Sequence, residues 1–125
     1  MIKLIACAKR LPHLTREEFD LHWRDRHGPL VRSHSDVLRI RRYVQTSTIA
    51  NPAAQESIRA SRNALEAAYD GYAELWWDSF DDLAAVRRMA AGAKALQALL
   101  EDERRFVDLA RSQLWYGTER KIIPG

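Results

Sequence analysis

Apolar and polar positions alternate along this chain with two periods. Ile2-Lys3-Leu4-Ile5-Ala6-Cys7-Ala8 is a short apolar run closed by Lys9-Arg10-Leu11-Pro12, which predicts a buried strand over 2–8. Thr15 and Glu18 carry a capping-box signature, and Phe19, His22/Trp23, Arg26/His27 and Leu30 then recur at helical spacing. Gly28-Pro29 is expected to end the regular part of that helix, because the residue before proline is pushed out of the helical region. From Val37 to Ile49 the pattern alternates as in a long strand, with Leu38, Ile40, Arg42, Val44 and Thr46 on one side, until Asn51-Pro52 stops it. Residues 53–68 read as a weakly amphipathic surface helix, anchored only by Ile58 and Leu65. An aromatic strand follows from Tyr69 to Asp78. Ser79 and Asp82 cap a helix with the stripe Phe80, Leu83, Val86 and Ala90. Gly92 reads as a break, and a second helical stretch carries Leu96, Leu99/Leu100, Glu103, Phe106/Val107 and Ala110. A last strand is expected over 114–123.

The order strand–helix–strand–insert–strand–helices–strand predicts an α+β fold of the ferredoxin-like βαββαβ type, with an antiparallel sheet. Residues 1–125 form one domain on this reading, with 52–68 as a helical insertion between strands 2 and 3. The helices of such a fold cover one sheet face only. Trp76 and Trp77 fall on opposite faces of the third strand, so both faces need cover. A second copy of the same sheet, packed face to face about a two-fold axis, supplies it most simply, and a homodimer is expected.

Composition narrows the classes further. The chain is 46% apolar and 30% charged, with four Trp, four Tyr and three Phe. No run approaches the ~20 apolar residues of a membrane span, and Met1–Ile5 is too short for the apolar stretch of a signal peptide. Neither membrane association nor export is expected, and the location is read as cytoplasmic. The net charge is +3, and the best basic run, Arg39-Ile40-Arg41-Arg42, reads as a charged strand edge, so no nucleic-acid partner is predicted. Cys7 is the one cysteine, which excludes internal disulfides and a cysteine-pair zinc site. His22 and His27 are five apart, off the spacing that pairs ligands on an α-helix face, so no metal site is expected. No phosphate loop or GxGxxG is present, and no cofactor is expected.

As a set, Phe19-x-x-x-Trp23-x-x-x-His27-Gly28-Pro29, Tyr72-Ala73-Glu74-Leu75-Trp76-Trp77-Asp78-Ser79-Phe80, Asp102-Glu103-x-x-Phe106-x-Asp108 and Glu119 resemble the EthD domain family. The resemblance implies a dimeric α/β barrel built from two ferredoxin-like sheets. It also implies kinship with small cofactor-independent enzymes on aromatic, lactone or polyketide substrates: dehydratases, decarboxylases, cyclases, lactone isomerases and quinone-forming monooxygenases. The lactone isomerases of similar layout pair a first-helix histidine with a second-strand tyrosine and add a third-strand cysteine. This chain has Leu75 at that position, a departure that weighs against lactone isomerisation.

His27 is the leading candidate for catalysis, since a histidine near its ordinary pKa can act as general acid or base. Tyr43 is the candidate partner, placed to donate to an oxyanion or enolate. Phe19, His22, Trp23, Leu30, His34, Leu75 and Trp77 are expected around a pocket for a small apolar or phenolic ligand. Glu74, Glu119, Asp102 and Glu103 read as members of structural ion pairs. The chemistry expected is a proton-transfer lyase or isomerase step. The alternatives are cofactor-less oxygenation on the same fold and a non-catalytic ligand-binding or accessory role in a catabolic operon.

Overall fold

Ile2, Leu4, Ala6 and Ala8 alternate with Lys3, Ile5 and Cys7 along the first strand, and the sheet is built around that alternation. The computed structural model describes all residues, Met1–Gly125. Strands β1 (Ile2–Ala8), β2 (Arg42–Thr46), β3 (Gly71–Trp77) and β4 (Gln113–Thr118) form one sheet in the order β2-β3-β1-β4, antiparallel at every pairing. Helix α1 (Arg16–His22), a π-helical turn (Trp23–His27) and α2 (Gly28–Leu38) join β1 to β2. Helix α3 (Pro52–Ala60) lies between β2 and β3; α4 (Phe80–Arg88), α5 (Ala90–Glu103) and a 3-10 turn (Leu109–Arg111) lead to β4. This is the α+β, ferredoxin-like arrangement that the order of elements predicts. No helix is long and apolar enough to cross a membrane.

The inner sheet face, with Leu4, Ala6, Ala73, Leu75 and Trp77, packs under Phe19, Trp23, Val31, Leu38, Leu83, Val86 and Leu99 from the helices. The outer face, with Lys3, Ile5, Glu74, Trp76 and Trp115, carries no helix. Trp76 lies there between Lys3 and Arg42, whose charged groups stand 5.3 and 4.7 Å from its ring. Lys3 also pairs with Glu74 at 2.7 Å. Trp115 stays 50% exposed, so the outer face is aromatic yet uncovered within one chain.

Several sequence expectations are corrected. Gly28-Pro29 does not end the first helix. Gly28 has no Cβ to crowd the proline ring, so it keeps helical angles (φ −55°, ψ −53°), and Pro29 opens α2, where its missing N–H costs no bond. The helical path therefore runs on to Leu38, and β2 is short. Val31 and Leu38 are buried on one face of α2, and Arg39 turns the chain at φ 58°. Val37 and Leu38, expected in a strand, thus belong to a helix whose last turn mimics alternation. The insertion is helical over Pro52–Ala60 only.

Gly92 lies inside α5. The break falls at Met89 (ψ 138°), and Gly92 is buried where the α4–α5 corner brings it against the Val86 backbone. β4 ends at Thr118, which pairs with Ile2; no β1 residue remains to pair with Glu119, which is exposed and joins no ion pair.

A Cβ at Gly92 would overlap the Val86 carbonyl, a backbone atom that cannot step aside. Gly92→Ala is expected to destabilise the fold by about 3 kcal/mol or more. The guanidinium unfolding midpoint measures this, and an unchanged midpoint would refute the close approach.

Candidate active site

The site begins with the capping box. Thr15 Oγ1 accepts from the Glu18 backbone N–H at 3.1 Å, and the Thr15 N–H donates to Glu18 Oε1 at 3.0 Å, which sets the phase of α1. Phe19 and Trp23 then point at the sheet, and Gly71 admits the Trp23 ring where any Cβ would stand 2.7 Å from it. The next turn winds with π-helical geometry, in which the Gly28 N–H reaches back to the Trp23 carbonyl. That carbonyl also accepts from Gln45 Nε2 at 2.9 Å, which ties the wide turn to β2. Widening the turn brings residues five apart onto one face, so His22 and His27 converge.

They converge on Asp102, near the end of α5. The His27 Nδ1 to Asp102 Oδ2 distance is 2.8 Å, and His22 Nε2 stands 3.1 and 3.2 Å from the two carboxylate oxygens. Arg105 Nη1 donates to Asp102 Oδ1 at 3.3 Å. Phe106 packs on both imidazoles, with ring centroids 4.5 Å from His22 and 5.1 Å from His27. Burial works to raise the Asp102 carboxyl, but hydrogen bonds from His27 and His22 outweigh it and hold the group below its usual value. An ionised carboxylate only accepts, so His27 Nδ1 carries a proton and Nε2 is the lone pair. Burial also lowers the His27 pKa, against the opposing pull of Asp102. The imidazole is therefore neutral near pH 7, as a base must be.

A cavity of about 150 Å³ lies between this turn, α2, α5 and the sheet. Among its lining side chains, only His27, Glu103, Ser112 and the Tyr43 hydroxyl are polar beyond the indoles of Trp23 and Trp77. Ser112 is occupied, accepting from the Lys9 N–H at 3.0 Å and donating to the Asp108 carbonyl at 2.7 Å. Tyr43 accepts from Gln45 Nε2 at 2.8 Å, which leaves its own proton to donate. Burial raises the Tyr43 phenol above its ordinary value, so it stays protonated. Glu103 has no hydrogen-bond partner. Burial, with the charge of Asp102 added, pushes its carboxyl up to about 7. No buried side-chain polar atom is sealed without a partner, so His27 Nε2 and the Glu103 oxygens, which meet no protein partner, keep some exposure, and both residues line the cavity.

The structure thus brings His27, Tyr43, Trp23, Leu75 and Trp77 together around one space. Phe19 sits behind Trp23 in the core. Leu30 packs with the α2–α5 cluster. His34 is half-buried on α2, away from the cavity, and His22 faces Asp102 on one side and an outer depression on the other. Glu74 is paired with Lys3, and Asp102 with two histidines and an arginine. Glu103, expected in an ion pair, makes none: consecutive helix positions point about 100° apart, so Asp102 meets the histidines while Glu103 enters the cavity. Nothing in the sequence marks Asp102 as the partner of His27, 75 positions away. No group of three or more His, Cys, Asp or Glu side chains is arranged to hold a metal ion.

A ferredoxin-like sheet whose helical layer holds a histidine–aspartate pair against an apolar cavity defines the class of this protein. Residues 11–110 match the EthD domain, and the chain belongs to that family. An EthD family protein from Bacillus halodurans has the same fold, with a TM-score of 0.64 and 23% identity over 96% of this chain and 99% of that one. A dimeric protein of unknown function from Bacteroides fragilis gives 0.59 and 12% over 94% and 95%. SnoaB, a cofactor-independent oxygenase from Streptomyces nogalater, gives 0.56 and 12% over 99% and 97%. No curated protein matches the chain in sequence.

Glu103 makes stability depend on pH. Its folded pKa, about 7, lies above the unfolded value near 4.5. The stabilisation it contributes is therefore complete below pH ~4.5 and is lost as pH rises through about 7. The loss amounts to about 3 kcal/mol. In Glu103→Gln this component should vanish, leaving the variant more stable than wild type at pH 8. Paired urea titrations from pH 4 to 8 measure it, and parallel wild-type and variant curves would refute the placement.

Proposed function

We propose that this chain is a small enzyme that moves a proton on a compact cyclic substrate, in a lyase or isomerase step. The observation that supports this most is His27: Asp102 holds its Nδ1, which leaves Nε2 as the lone pair, and the residue lines an apolar cavity that Tyr43 also lines. An apolar cavity near 150 Å³ accommodates a single ring, which favours a monocyclic ketone, phenol or lactone over a fused polycycle. His27 Nε2 takes a proton from carbon next to a carbonyl, Asp102 stabilises the imidazolium that forms, and Tyr43 donates to the developing enolate oxygen. The apolar lining keeps water from competing for those hydrogen bonds. A second reading, oxygenation of an electron-rich phenol after His27 removes its proton, draws support from the likeness to SnoaB.

The working unit on this proposal is a homodimer that buries the outer sheet face, where Trp115 is half exposed and Trp76 is braced by two cations. The dimeric Bacteroides fragilis protein of the same fold supports this. Sedimentation velocity should give a dimer, and Trp115→Asp should shift it to monomer. A wild-type monomer at micromolar concentration would refute the assembly.

The reaction class is tested by deuterium exchange next to the carbonyl of cyclohexanone in D₂O, followed by NMR. Wild type should accelerate exchange, and His27→Ala should lose about 10²- to 10⁴-fold of it. Exchange by His27→Ala at the wild-type rate would remove His27 from the chemistry. Thermal stabilisation by ring ketones and phenols without exchange would favour the ligand-binding role. Oxygen uptake with phenols, in place of exchange, would favour oxygenation.

A further inference from the structure

We propose that His22 is a positioning residue of the His27 base, acting from the outer side of the helical layer through the carboxylate that both imidazoles share. This rests on the assignment of His27 as the base, and it adds a residue that lies outside the cavity. Asp102 Oδ2 is 2.8 Å from His27 Nδ1 and 3.2 Å from His22 Nε2, so one oxygen serves both rings. An ionised carboxylate only accepts, so His22 carries its proton on Nε2 and its lone pair on Nδ1, the reverse of His27. His22 Nδ1 meets no protein partner and keeps some exposure, and the residue lines an outer depression. One carboxylate thus links a histidine that borders the cavity to one that borders the surface.

Charge decides what that link does. Besides Asp102, His22 has Arg105 beyond it on α5, Asp25 and Arg26 beside it on the π-helical turn, and Glu18 one turn back on α1. Glu18 is held by the capping box and Asp25 by Arg24, and only Arg105 bonds to the shared carboxylate. On its own side, His27 has Asp102 as its bonded partner, with Glu103 and Tyr43 bordering the same cavity. Burial lowers the His27 pKa, so the first proton that the pair takes up as pH falls goes to Nδ1 of His22. His22 then faces Asp102 as a cation. It offsets the pull of the carboxylate on a proton at His27 Nε2, and it repels a second positive charge there. The base therefore keeps its lone pair at a pH where Asp102 alone would have let it take a proton. Coupling of this kind is worth about one pH unit.

The test is an NMR titration of nitrogen-labelled histidines, with cyclohexanone exchange measured in parallel. In wild type at alkaline pH, His22 should be the Nε2–H tautomer and His27 the Nδ1–H tautomer. His22→Gln keeps a donor for Asp102 but takes up no proton, and His22→Phe keeps a ring against Phe106 but offers no donor. In both, the His27 titration should move up by about one unit, and the pH at which exchange falls away should move with it. The Nδ1–H tautomer at His22 in wild type would overturn the inference. So would exchange that drops by one factor at every pH with the His27 titration unmoved, the mark of a merely structural residue. An unmoved titration with exchange intact would overturn the inference alone. Absence of exchange in wild type would overturn the reading on which it rests, and the inference with it.

Discussion

One buried carboxylate organises the helical layer of this protein. Asp102 accepts from His27, His22 and Arg105, and in doing so it joins the end of α5 to the π-helical turn between α1 and α2. A carboxylate in such a place is costly unless its lone pairs are filled, and here two imidazoles and a guanidinium fill them. The same bonds fix which nitrogen of His27 carries the proton and which way the ring faces. Phe106 completes the arrangement by packing on both imidazoles and on Phe19. The group that holds the layer together therefore also orients the imidazole proposed as the base. Removing it would leave His22 and His27 without their shared acceptor and the turn without its tether to α5.

The cavity depends on a similar division of labour. Gln45 Nε2 donates from β2 to two oxygens, the Trp23 carbonyl that the Gly28 N–H also meets and the Tyr43 hydroxyl. Ser112 closes the far end by bonding only to backbone. The polar groups with structural partners are thus separated from those with capacity to spare, and the second set belongs to His27, Tyr43 and Glu103, which line one small apolar space. A functional site is read from this convergence rather than from the fold, which hosts many chemistries.

Much of the architecture was legible in the chain because it rests on local patterns. The capping box, the Phe19–Trp23 stripe, the alternation of β3 and the Ser79 cap each appear where spacing places them. Gly28-Pro29 misled because the rule for the residue before proline assumes a Cβ, and glycine has none. That one departure let the helix run to Leu38 and shortened β2. It also hid the site: with α-helical winding, His22 and His27 diverge, and only the wider turn makes them share Asp102. A helical stripe that continues on both sides of a Gly-Pro pair was the available sign. Glu103 was misread for another reason. Adjacent acids look alike in sequence, and whether each finds a cation depends on which way a helix built far from His27 is rotated.

The third strand shows why site and outer surface cannot vary independently. Ala73, Leu75 and Trp77 face the cavity and helices, while Tyr72, Glu74 and Trp76 face outward, so a slip of one residue would exchange the two sets. Two bonds on opposite faces oppose that slip. Trp77 Nε1 donates to the Leu38 carbonyl at 2.8 Å on the inner side, and Glu74 accepts from Lys3 at 2.7 Å on the outer. The inner bond ties the end of α2 to the sheet, and that helix also carries Val31 of the cavity wall. The outer pair aligns β1 with β3, and β3 in turn pairs Tyr43 of β2 with Leu75. A change on the exposed face that disturbed the Lys3–Glu74 register would therefore reach Tyr43 through two strands. The uncovered face and the candidate site are in this sense two sides of one pleat.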